Sequence, residues 1–207
     1  MRRTGEADAK PSDELIAGKY KLVRLLGKGG MGSVWEGVHV TLGSRVAVKF
    51  IEHELAFNDE ARRRFDNEAR AAARLQSRYV VSVHDHGVMP DGRPFIVMEF
   101  LRGRSLEERL LAEGSIGLRE GAIIVAQVCR ALGKAHEQGI IHRDLKPENI
   151  FLARSPDDDE EVAKVVDFGI AKFTAAAPGL SSSTQTGTLL GTPFYMSPEQ
   201  ARGLKHI

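Results

Sequence analysis

The stretch His142-Arg-Asp-Leu-Lys-Pro-Glu-Asn149 places acids, cations and an amide side by side, directly before an apolar run that begins at Ile150. A polar turn with capping side chains explains such a cluster poorly. The carboxylate of Asp144 can accept a hydroxyl proton, the ammonium of Lys146 can neutralise phosphate charge, and Asn149 can offer a carbonyl oxygen to a hard cation. We therefore interpret this stretch as a candidate catalytic segment.

A further acid falls near this segment if the apolar runs around Ile150 and Val165 form a hairpin. Asp167-Phe-Gly169 ends the second run, so the hairpin would bring the Asp167 carboxylate back to the turn that carries Asn149. Two oxygen ligands at one site suit Mg²⁺, with phosphate oxygens completing its coordination shell. Asn149 and Asp167 are therefore the predicted metal ligands.

A glycine-rich segment, Gly27-Lys-Gly-Gly-Met-Gly-Ser-Val34, lies between two strand-like runs nearer the N-terminus. Because glycine has no Cβ atom, backbone N–H groups in such a segment can approach phosphate oxygens closely. Taken alone, the pattern fits a glycine-rich hairpin turn as well. It does not match the dinucleotide-binding fingerprint, since no helical pattern follows the glycines.

A lysine and a glutamate occupy positions where each explains the burial of the other. The alternation in Val46-Ala-Val-Lys-Phe50 turns Lys49 and Ala47 to the opposite strand face from the two valines. Glu68 falls within the apolar face of a helix predicted over roughly residues 59–76. An isolated buried charge is costly, so we expect Lys49 and Glu68 to pair.

Composition excludes several classes of protein. The 207 residues carry 29 Lys and Arg against 28 Asp and Glu, a formal net charge of +1, so bulk attraction to nucleic acid is not expected. A hydrophobic fraction of 42% is typical of a globular protein and excludes wholesale disorder. No apolar run is long enough to span a bilayer. The one cysteine, Cys129, lies in an apolar run, which predicts a buried thiol and a reducing compartment.

The pattern along the chain predicts a sheet-rich part followed by a helix-rich part, an α+β fold. Residues 1–18 are polar and are predicted to form a disordered leader. Strands are predicted over residues 20–26, 33–40, 45–51, 80–88 and 94–100, interrupted by the helix at 59–76. Helices are predicted over residues 105–113 and 118–137, after a short connection at 100–104.

The chain resembles the protein kinase family, because five motifs stand in the order found there. They are the glycine loop, Val46-Ala-Val-Lys49, His142–Asn149, Asp167-Phe-Gly169 and Ser197-Pro-Glu199. Lys146 two residues after Asp144, and Gly191-Thr-Pro193 ahead of Ser-Pro-Glu, are similar to the serine/threonine branch, and Ser-Pro-Glu-Gln is similar to bacterial members. The resemblance covers about residues 20–207.

This resemblance implies a two-lobed kinase fold. Its sheet-rich N-lobe with one key helix would cover residues 19–99, its hinge 100–104 and its partial helical C-lobe 105–207, with the activation loop at about 170–196. The rest of the helical lobe is not in the chain, so we expect apolar faces of the 118–137 helix to lie exposed.

The resemblance implies catalytic roles as well. Asp144 would orient and deprotonate the acceptor hydroxyl, Lys146 would stabilise the γ-phosphoryl group, and Thr192 would contact the catalytic aspartate. Lys49 would hold the α- and β-phosphates of ATP and pair with Glu68. Asn149 and Asp167 would bind two Mg²⁺ ions.

Further positions would form the ATP site by the same resemblance. The phosphates would be covered by the glycine loop, with Gly27, Lys28, Gly29, Gly30 and Gly32. The adenine would lie between apolar side chains, namely Leu26, Val34, Ala47, Met98 and Phe151. The alternative interpretation is that these residues simply pack in the core. Backbone groups of Glu99 and Leu101 would bond the adenine edge.

The Ser/Thr-rich stretch at residues 181–188 occupies the position of the activation loop in this resemblance. Arg143, next to Asp144, is the kind of cation that captures a phosphorylated loop residue. Thr184 and Thr186 are the predicted sites of regulatory phosphorylation.

Three functions stay open from the sequence: a kinase acting on protein Ser and Thr hydroxyls, a small-molecule phosphotransferase of related fold, and a non-catalytic nucleotide-binding fragment. Lys146-Pro-Glu and Thr192 favour the first over the second. The expected partners are protein substrates and a second copy of the chain for trans-autophosphorylation, without nucleic acid and without a membrane segment in this chain. The expected location is the cytoplasm, with room for a membrane anchor beyond Ile207.

Overall fold

The computed structural model describes residues 15–29, 32–51, 59–154, 160–168 and 193–201. Their contacts divide into two compact units. Unit 1 comprises the described residues up to Arg74 together with Ser82–Leu101, and unit 2 comprises Leu75–Val81 and the described residues from Arg102 onward. The boundary after Leu101 lies within the predicted hinge, whereas the predicted domain limits did not include Leu75–Val81 in the second unit.

Unit 1 contains a five-stranded antiparallel sheet and one described helix. The strands are β1 (Tyr20–Gly29), β2 (Gly32–His39), β3 (Arg45–Ile51), β4 (Val83–Val88) and β5 (Pro94–Glu99), in the spatial order β1-β2-β3-β5-β4. The helix α1 (Asp59–Arg74) contacts β4. The sheet-rich N-terminal part with one helix is therefore confirmed.

One face of this sheet forms the core of unit 1, as the alternation in β3 predicts. Val46, Val48 and Phe50 are buried in one cluster with Trp35 and other apolar side chains of the sheet. Ile16 belongs to the same cluster and is 2% exposed, and its N–H donates to the Tyr20 carbonyl. The prediction of a disordered leader was therefore wrong at residues 15–18, because burial of Ile16 anchors this turn on the sheet; residues 1–14 lie outside the described chain.

Unit 2 combines two longer helices with a three-stranded sheet. Its elements are β6 (Gly103–Ser105), α2 (Leu106–Glu113), α3 (Leu118–His136), β7 (Ile150–Arg154), β8 (Glu161–Val165) and α4 (Pro198–Ala201). The sheet order is β6-β7-β8, with both pairs antiparallel. Ser105 caps α2, since its hydroxyl accepts from the Glu108 N–H and the Glu108 carboxylate accepts from the Ser105 N–H.

The hairpin that was predicted to return Asp167 to the catalytic segment is present. β7 and β8 pair antiparallel, with Ile150 opposite Val165. Val80 pairs with Val165 from the other side, and the Val81 N–H donates to the Val165 carbonyl. The prediction of one strand over residues 80–88 was therefore wrong at its start, because Val80 and Val81 pair within unit 2 and β4 begins only at Val83.

Helix α3 buries one side and exposes the other. Ile124, Val128 and Ala131 pack into the core of unit 2, whereas Leu118, Ile123 and Val125 are 92%, 49% and 61% exposed. The expected exposure of apolar side chains on this helix is thereby confirmed. The prediction of a buried Cys129 was wrong, because the apolar run surrounds the whole helix while only one side packs, and Cys129 lies on the exposed side. Among the described helices, none has the length and apolar character that a membrane crossing requires.

Candidate active site

The predicted nucleotide-binding residues of unit 1 share one face of the sheet. Strand pairing places Val34 opposite Gly27 on one side and opposite Lys49 on the other, and Ala47 lies opposite Met98. Cross-strand partners point to the same face, and so do residues two apart on a strand. Val34, Ala47, Lys49 and Met98 therefore line one surface, on the opposite side of the sheet from the core residues Val46 and Val48.

The glycine loop connects β1 and β2 as a hairpin. Gly27, Lys28 and Gly29 extend the predicted first strand to residue 29, and Gly30 lies outside the described residues. Gly32 has φ 127°, and a Cβ atom on it would lie 1.9 Å from the Phe50 carbonyl oxygen. Only glycine fits this close crossing of two backbones. Leu26, before the loop, is 40% exposed.

Lys49 is a buried charge in unit 1. Its residue is 8% exposed on β3, and the side chain of Glu68 is half-buried on α1, next to the buried Phe65 and Ala69. Both Lys49 and Glu68 make polar or electrostatic interactions within the fold. Their pairing with each other stays a prediction.

The backbone at the end of β5 carries the predicted adenine contacts. The Glu99 N–H donates to the Ser82 carbonyl at 2.9 Å, and the Glu99 carboxylate accepts from the Ser82 N–H at 2.8 Å. Because the Glu99 N–H already donates to Ser82, the backbone group of Glu99 that could bond a ligand is its carbonyl oxygen, as an acceptor. Leu101, the other predicted contact, is half-buried at the end of unit 1.

In unit 2, His142 organises the segment that carries Asp144. His142 is 3% exposed, and its Nε2 atom lies 2.9 Å from the Val166 carbonyl oxygen. A carbonyl only accepts, so Nε2 bears the hydrogen, and Nδ1 accepts from the Asp144 N–H at 3.3 Å. Burial lowers the pKa of His142, against the bond to Val166 and the charges of Asp167 and Asp144, which favour the protonated ring. The neutral ring thus satisfies both neighbours.

Asn149 fixes the orientation of Asp144. The Nδ2 atom of Asn149 donates to the Asp144 backbone carbonyl at 2.8 Å and to the Asp144 carboxylate at 3.2 Å. Asn149 itself is 7% exposed. Both partners are acceptors, so the amide nitrogen must face them and the amide oxygen points the other way.

Lys146 adds a positive charge beside this carboxylate. Its Nζ atom lies 3.8 Å from Asp144 Oδ2 and 2.6 Å from Glu148 Oε2. Burial alone would lower the pKa of Lys146, but the bond to Glu148 and the charge of Asp144 outweigh it, so this pKa lies above its usual value. Glu107, on α2, belongs to the same group: burial, then the charge of Glu148, raise the pKa of its carboxyl.

Asp167 stands at the end of the hairpin, linked to the same segment through the backbone. The Val166 N–H donates to the Asn149 carbonyl at 3.0 Å, and Asp167 adopts a left-handed φ of 61°. The next residue, Phe168, is 3% exposed, with its ring 4.8 Å from the ring of His142. Asn149 and Asp167 are therefore held by one connected piece of backbone.

The segment at residues 193–201 contacts the catalytic segment. The Gln200 side chain donates to the Arg143 carbonyl at 2.6 Å. Ser197 and Gln200 bond each other reciprocally, side chain to backbone N–H, at the start of α4. Arg143 itself has a left-handed φ of 63°.

The remaining predicted residues divide into two groups. Phe151 is described and half-buried, on β7 opposite Lys164. Thr184, Thr186 and Thr192 lie outside the described residues.

Sequence reasoning assigned no role to His142, Glu148, Glu107 or Gln200. His142 and Glu148 stand inside the quoted motif, and Ser197-Pro-Glu-Gln200 has the Ser-x-x-Gln spacing of a capping box, so signals were present for three of them. Glu107 carries no such signal, because its neighbour Glu148 is distant in sequence.

Comparison with protein families gives one match across most of the chain. The model described as the protein kinase domain matches residues 20–206.

Curated relatives agree with this match. The chain is 45% identical over 188 residues to the serine/threonine-protein kinase Pkn1 of Myxococcus xanthus, covering 90% of this chain and 26% of that protein. It is 42% identical over 192 residues to the serine/threonine-protein kinase PknA of Mycobacterium tuberculosis, covering 91% of this chain and 42% of that protein. The chain therefore spans less than half the length of these relatives.

Solved structures are similar in fold. The Mycobacterium tuberculosis PknI kinase domain aligns with a TM-score of 0.66 and 33% identity, over 74% of this chain and 59% of that chain. Rad53 residues 1–466, in complex with AMP-PNP, align with a TM-score of 0.69 and 27% identity, over 90% of this chain and 43% of that chain.

Proposed function

The chain belongs to the protein kinase family, and from this membership we propose that it transfers the γ-phosphoryl group of ATP to serine and threonine hydroxyls of proteins. Its curated relatives Pkn1 and PknA are named serine/threonine-protein kinases. These bacterial relatives match about nine tenths of this chain, and they support a protein acceptor over a small molecule.

The observation that carries the proposal is the fixed orientation of Asp144. A general base must present its carboxylate to the acceptor hydroxyl in one geometry. The two bonds from the Asn149 amide and the bond from the Asp144 N–H to His142 hold this residue through three contacts with two neighbouring side chains. Asp144 would accept the hydroxyl proton as the phosphoryl group is transferred.

Lys146 supports the same step electrostatically. The Lys146 side chain carries a positive charge, since its pKa lies above the usual lysine value, and its Nζ atom lies 3.8 Å from the Asp144 carboxylate. A charged lysine beside the proposed base would attract the oxygens of the γ-phosphoryl group. These oxygens carry negative charge in the transition state.

The protein kinase family uses ATP and Mg²⁺, and the residues of unit 2 fit the metal. Asn149 uses its amide nitrogen toward Asp144, which leaves the amide oxygen directed away, and Asp167 supplies a carboxylate from the adjoining backbone. Mg²⁺ prefers such oxygen ligands. Asn149 and Asp167 would hold Mg²⁺, which supplies neutralisation of the phosphate charge when bound.

ATP itself would use the sheet face of unit 1 that carries Val34, Ala47, Lys49 and Met98. The apolar members suit the adenine ring, and Leu26 on β1 would contact it as well. Phe151, which lies in unit 2, stays an adenine contact predicted from the resemblance alone. The buried Lys49 would bind the α- and β-phosphates and pair with Glu68, beneath the loop from Gly27 to Gly32.

Regulation by phosphorylation is proposed from the same resemblance to the family. Thr184 and Thr186 would be autophosphorylated between two copies of the chain, and Thr192 would contact Asp144. Arg143, held at its carbonyl by Gln200, would bind the new phosphate. The kinase part would lie in the cytoplasm, where ATP is available.

The test is transfer of labelled γ-phosphate from ATP·Mg²⁺ by the full-length protein, with peptide mapping of the product. We expect label on protein Ser or Thr residues, Thr184 or Thr186 among them. Asp144→Asn should reduce transfer at least about 100-fold while ATP still raises the melting temperature. Transfer that Asp144→Asn leaves unchanged would contradict the assigned base, and label only on a small-molecule acceptor would favour the related phosphotransferase.

A further inference from the structure

The guanidinium of Arg45 stands between a buried carboxylate and an aromatic ring in unit 1. Glu36, which is 7% exposed, accepts from Arg45 Nε at 2.8 Å, and Arg45 Nη2 lies 2.7 Å from the same oxygen, Oε1. The Arg45 Cζ atom lies 4.0 Å from the centroid of the Phe100 ring. One side chain therefore joins the middle of β2 to the residue that follows β5.

Phe100 is placed where this contact matters for nucleotide binding. It stands between Glu99 and Leu101, the two residues whose backbone groups are proposed to bond the adenine edge. Arg45 begins β3, and the next residue, Val46, pairs with Glu99. The arginine thus reaches the end of β5 from the neighbouring strand.

The contact also lies beside the proposed adenine surface. Arg45 and Ala47 are two apart on β3 and share a sheet face, and Glu36 lies opposite Ala47 on β2. This is the face that carries Met98, opposite Ala47 on β5.

The ion pair holds the guanidinium in one orientation. Glu36 uses a different oxygen for each arginine, since Oε2 accepts from Arg24 Nε at 2.8 Å. With its Nε and Nη2 both held on Oε1, the Arg45 guanidinium has its Cζ atom over the Phe100 ring, as in a cation–π contact. The Phe100 ring cannot turn without breaking its contact with the Arg45 guanidinium. The contact therefore restrains the backbone at Phe100.

We propose that Arg45 is a positioning residue for nucleotide binding: anchored by Glu36, it holds the Phe100 ring and thereby the backbone of Glu99 and Leu101 in the arrangement that binds adenine. This inference rests on the proposed kinase function. It predicts that the effect of Arg45 is on affinity for the base, not on phosphoryl transfer.

The experiment measures ATP and GTP binding, and kcat and KM for ATP, in the full-length protein and its variants. Arg45→Ala should weaken ATP binding and raise KM about three- to tenfold, with kcat unchanged and with a smaller loss for GTP. Phe100→Leu should have the same effect. Phe100→Tyr keeps the aromatic ring, so its ATP affinity should stay near the wild-type value. Arg45→Lys keeps the positive charge but loses the planar guanidinium, so its ATP affinity should lie between those of the wild type and Arg45→Ala.

Arg24→Ala is the matched control. It removes the other arginine from the same carboxylate, but the cation over the Phe100 ring is Arg45. Its ATP and GTP affinities should stay within about twofold of wild type. Thermal unfolding of each variant shows that it is folded at the assay temperature.

The outcomes separate this inference from the function on which it rests. A wild-type protein that binds no ATP would overturn the proposed function. Wild-type binding with equal losses in the Arg45 and Arg24 variants, or with equal losses for ATP and GTP, would overturn the positioning role alone. Binding that is weakened by Arg45→Ala and by Phe100→Leu, selectively for ATP, would establish it.

Discussion

The Nε2 atom of His142 lies 2.9 Å from the carbonyl oxygen of Val166, and this contact ties the loop that carries Asp144 to the strand end that precedes Asp167. The Val166 N–H donates to the Asn149 carbonyl on the same stretch. One local network thus links the segment that carries Asp144, the proposed base, to Asn149 and to the strand end before Asp167, the two predicted metal ligands. The network requires a neutral imidazole, because Nδ1 must accept the Asp144 N–H.

Stability should therefore fall in acid through His142. Burial lowers the pKa of this ring in the folded state, while in the unfolded chain it takes up a proton at its ordinary value of 6.5. The unfolded state then binds more protons below that pH, so the full stability is present above pH 6.5 and declines as the pH falls below it. The slope from one such group is at most about 1.4 kcal/mol per pH unit. Urea unfolding at a series of pH values between 5 and 8, roughly the range in which histidine titrates, measures it.

Two variants test that assignment. His142→Gln should make the free energy of unfolding less dependent on pH, even if the variant is less stable than the wild type at every pH. His136→Gln, at an exposed position on α3, should leave the slope as in the wild type. An unchanged slope in His142→Gln would show that another group is responsible.

Loss of the Asn149 amide should affect both folding and catalysis. Asn149→Ala removes two bonds to Asp144 and leaves its carbonyl and carboxylate without those donors, so we expect unfolding to become easier by about 1–3 kcal/mol. Because Asp144 also loses its orientation and the proposed Mg²⁺ site loses an oxygen ligand, kcat should drop about 100-fold. The matched control is Gln127→Ala, which removes another buried amide, the acceptor of the Ala163 N–H at 2.7 Å, away from Asp144. It should lower stability to a similar extent and leave kcat near the wild-type value; equal losses of kcat would contradict the orienting role.

Local patterns were sufficient to predict most of the fold. The strand at Arg45–Ile51 and the helix beginning at Asp59 follow from alternation and from the helical repeat, which depend on neighbouring residues alone. β6, only Gly103–Ser105, escaped prediction because three residues show no period, and the strand exists through its pairing with β7. The exposure of Cys129 depends on which side of α3 is packed, which an apolar run does not reveal.

The candidate site could be proposed from the sequence as a set of residues, but not as a network of contacts. The acids, lysine and amide of the catalytic segment are contiguous in sequence, so their chemistry could be read directly. The link from His142 to Val166 and the charge of Glu148 beside Glu107 join residues far apart in the chain. Such contacts arise from tertiary packing, for which one sequence carries no local signal.

Gly32 should tolerate substitution less than Gly27 and Gly29, the other described glycines of the hairpin between β1 and β2. Gly32→Ala places a Cβ atom 1.9 Å from the Phe50 carbonyl oxygen at φ 127°, so a backbone shift is unavoidable, and we expect a loss of at least about 3 kcal/mol in unfolding free energy. Gly43→Ala is the control, since Gly43 has φ 69° but open space around it. That variant should lose only about 1–2 kcal/mol from backbone strain. Equal losses in urea unfolding would mean that the close crossing at Gly32 carries no extra cost.

Arg109 should be the most important ion-pairing residue of unit 2. Its side chain is 13% exposed and pairs with Glu113 at 3.1 Å, with Glu120 at 2.6 Å and with Glu161 at 2.8 Å, which joins α2 to α3 and to β8. Arg109→Ala leaves three carboxylates close together without their shared cation. Partly buried networks lie between surface pairs and buried ones in strength, so we expect a loss of about 1–3 kcal/mol.

Arg154→Ala provides the comparison for Arg109, because Arg154 pairs with the same Glu161 carboxylate, at 3.4 Å, from a side chain that is 67% exposed. Solvent screens that pair, so its loss should cost no more than about 0.5 kcal/mol. Added salt should reduce the difference between wild type and Arg109→Ala only in part, since the partly buried guanidinium is shielded from ions. If the two variants unfold at the same urea concentration, the three-way pairing contributes no more than an ordinary surface contact.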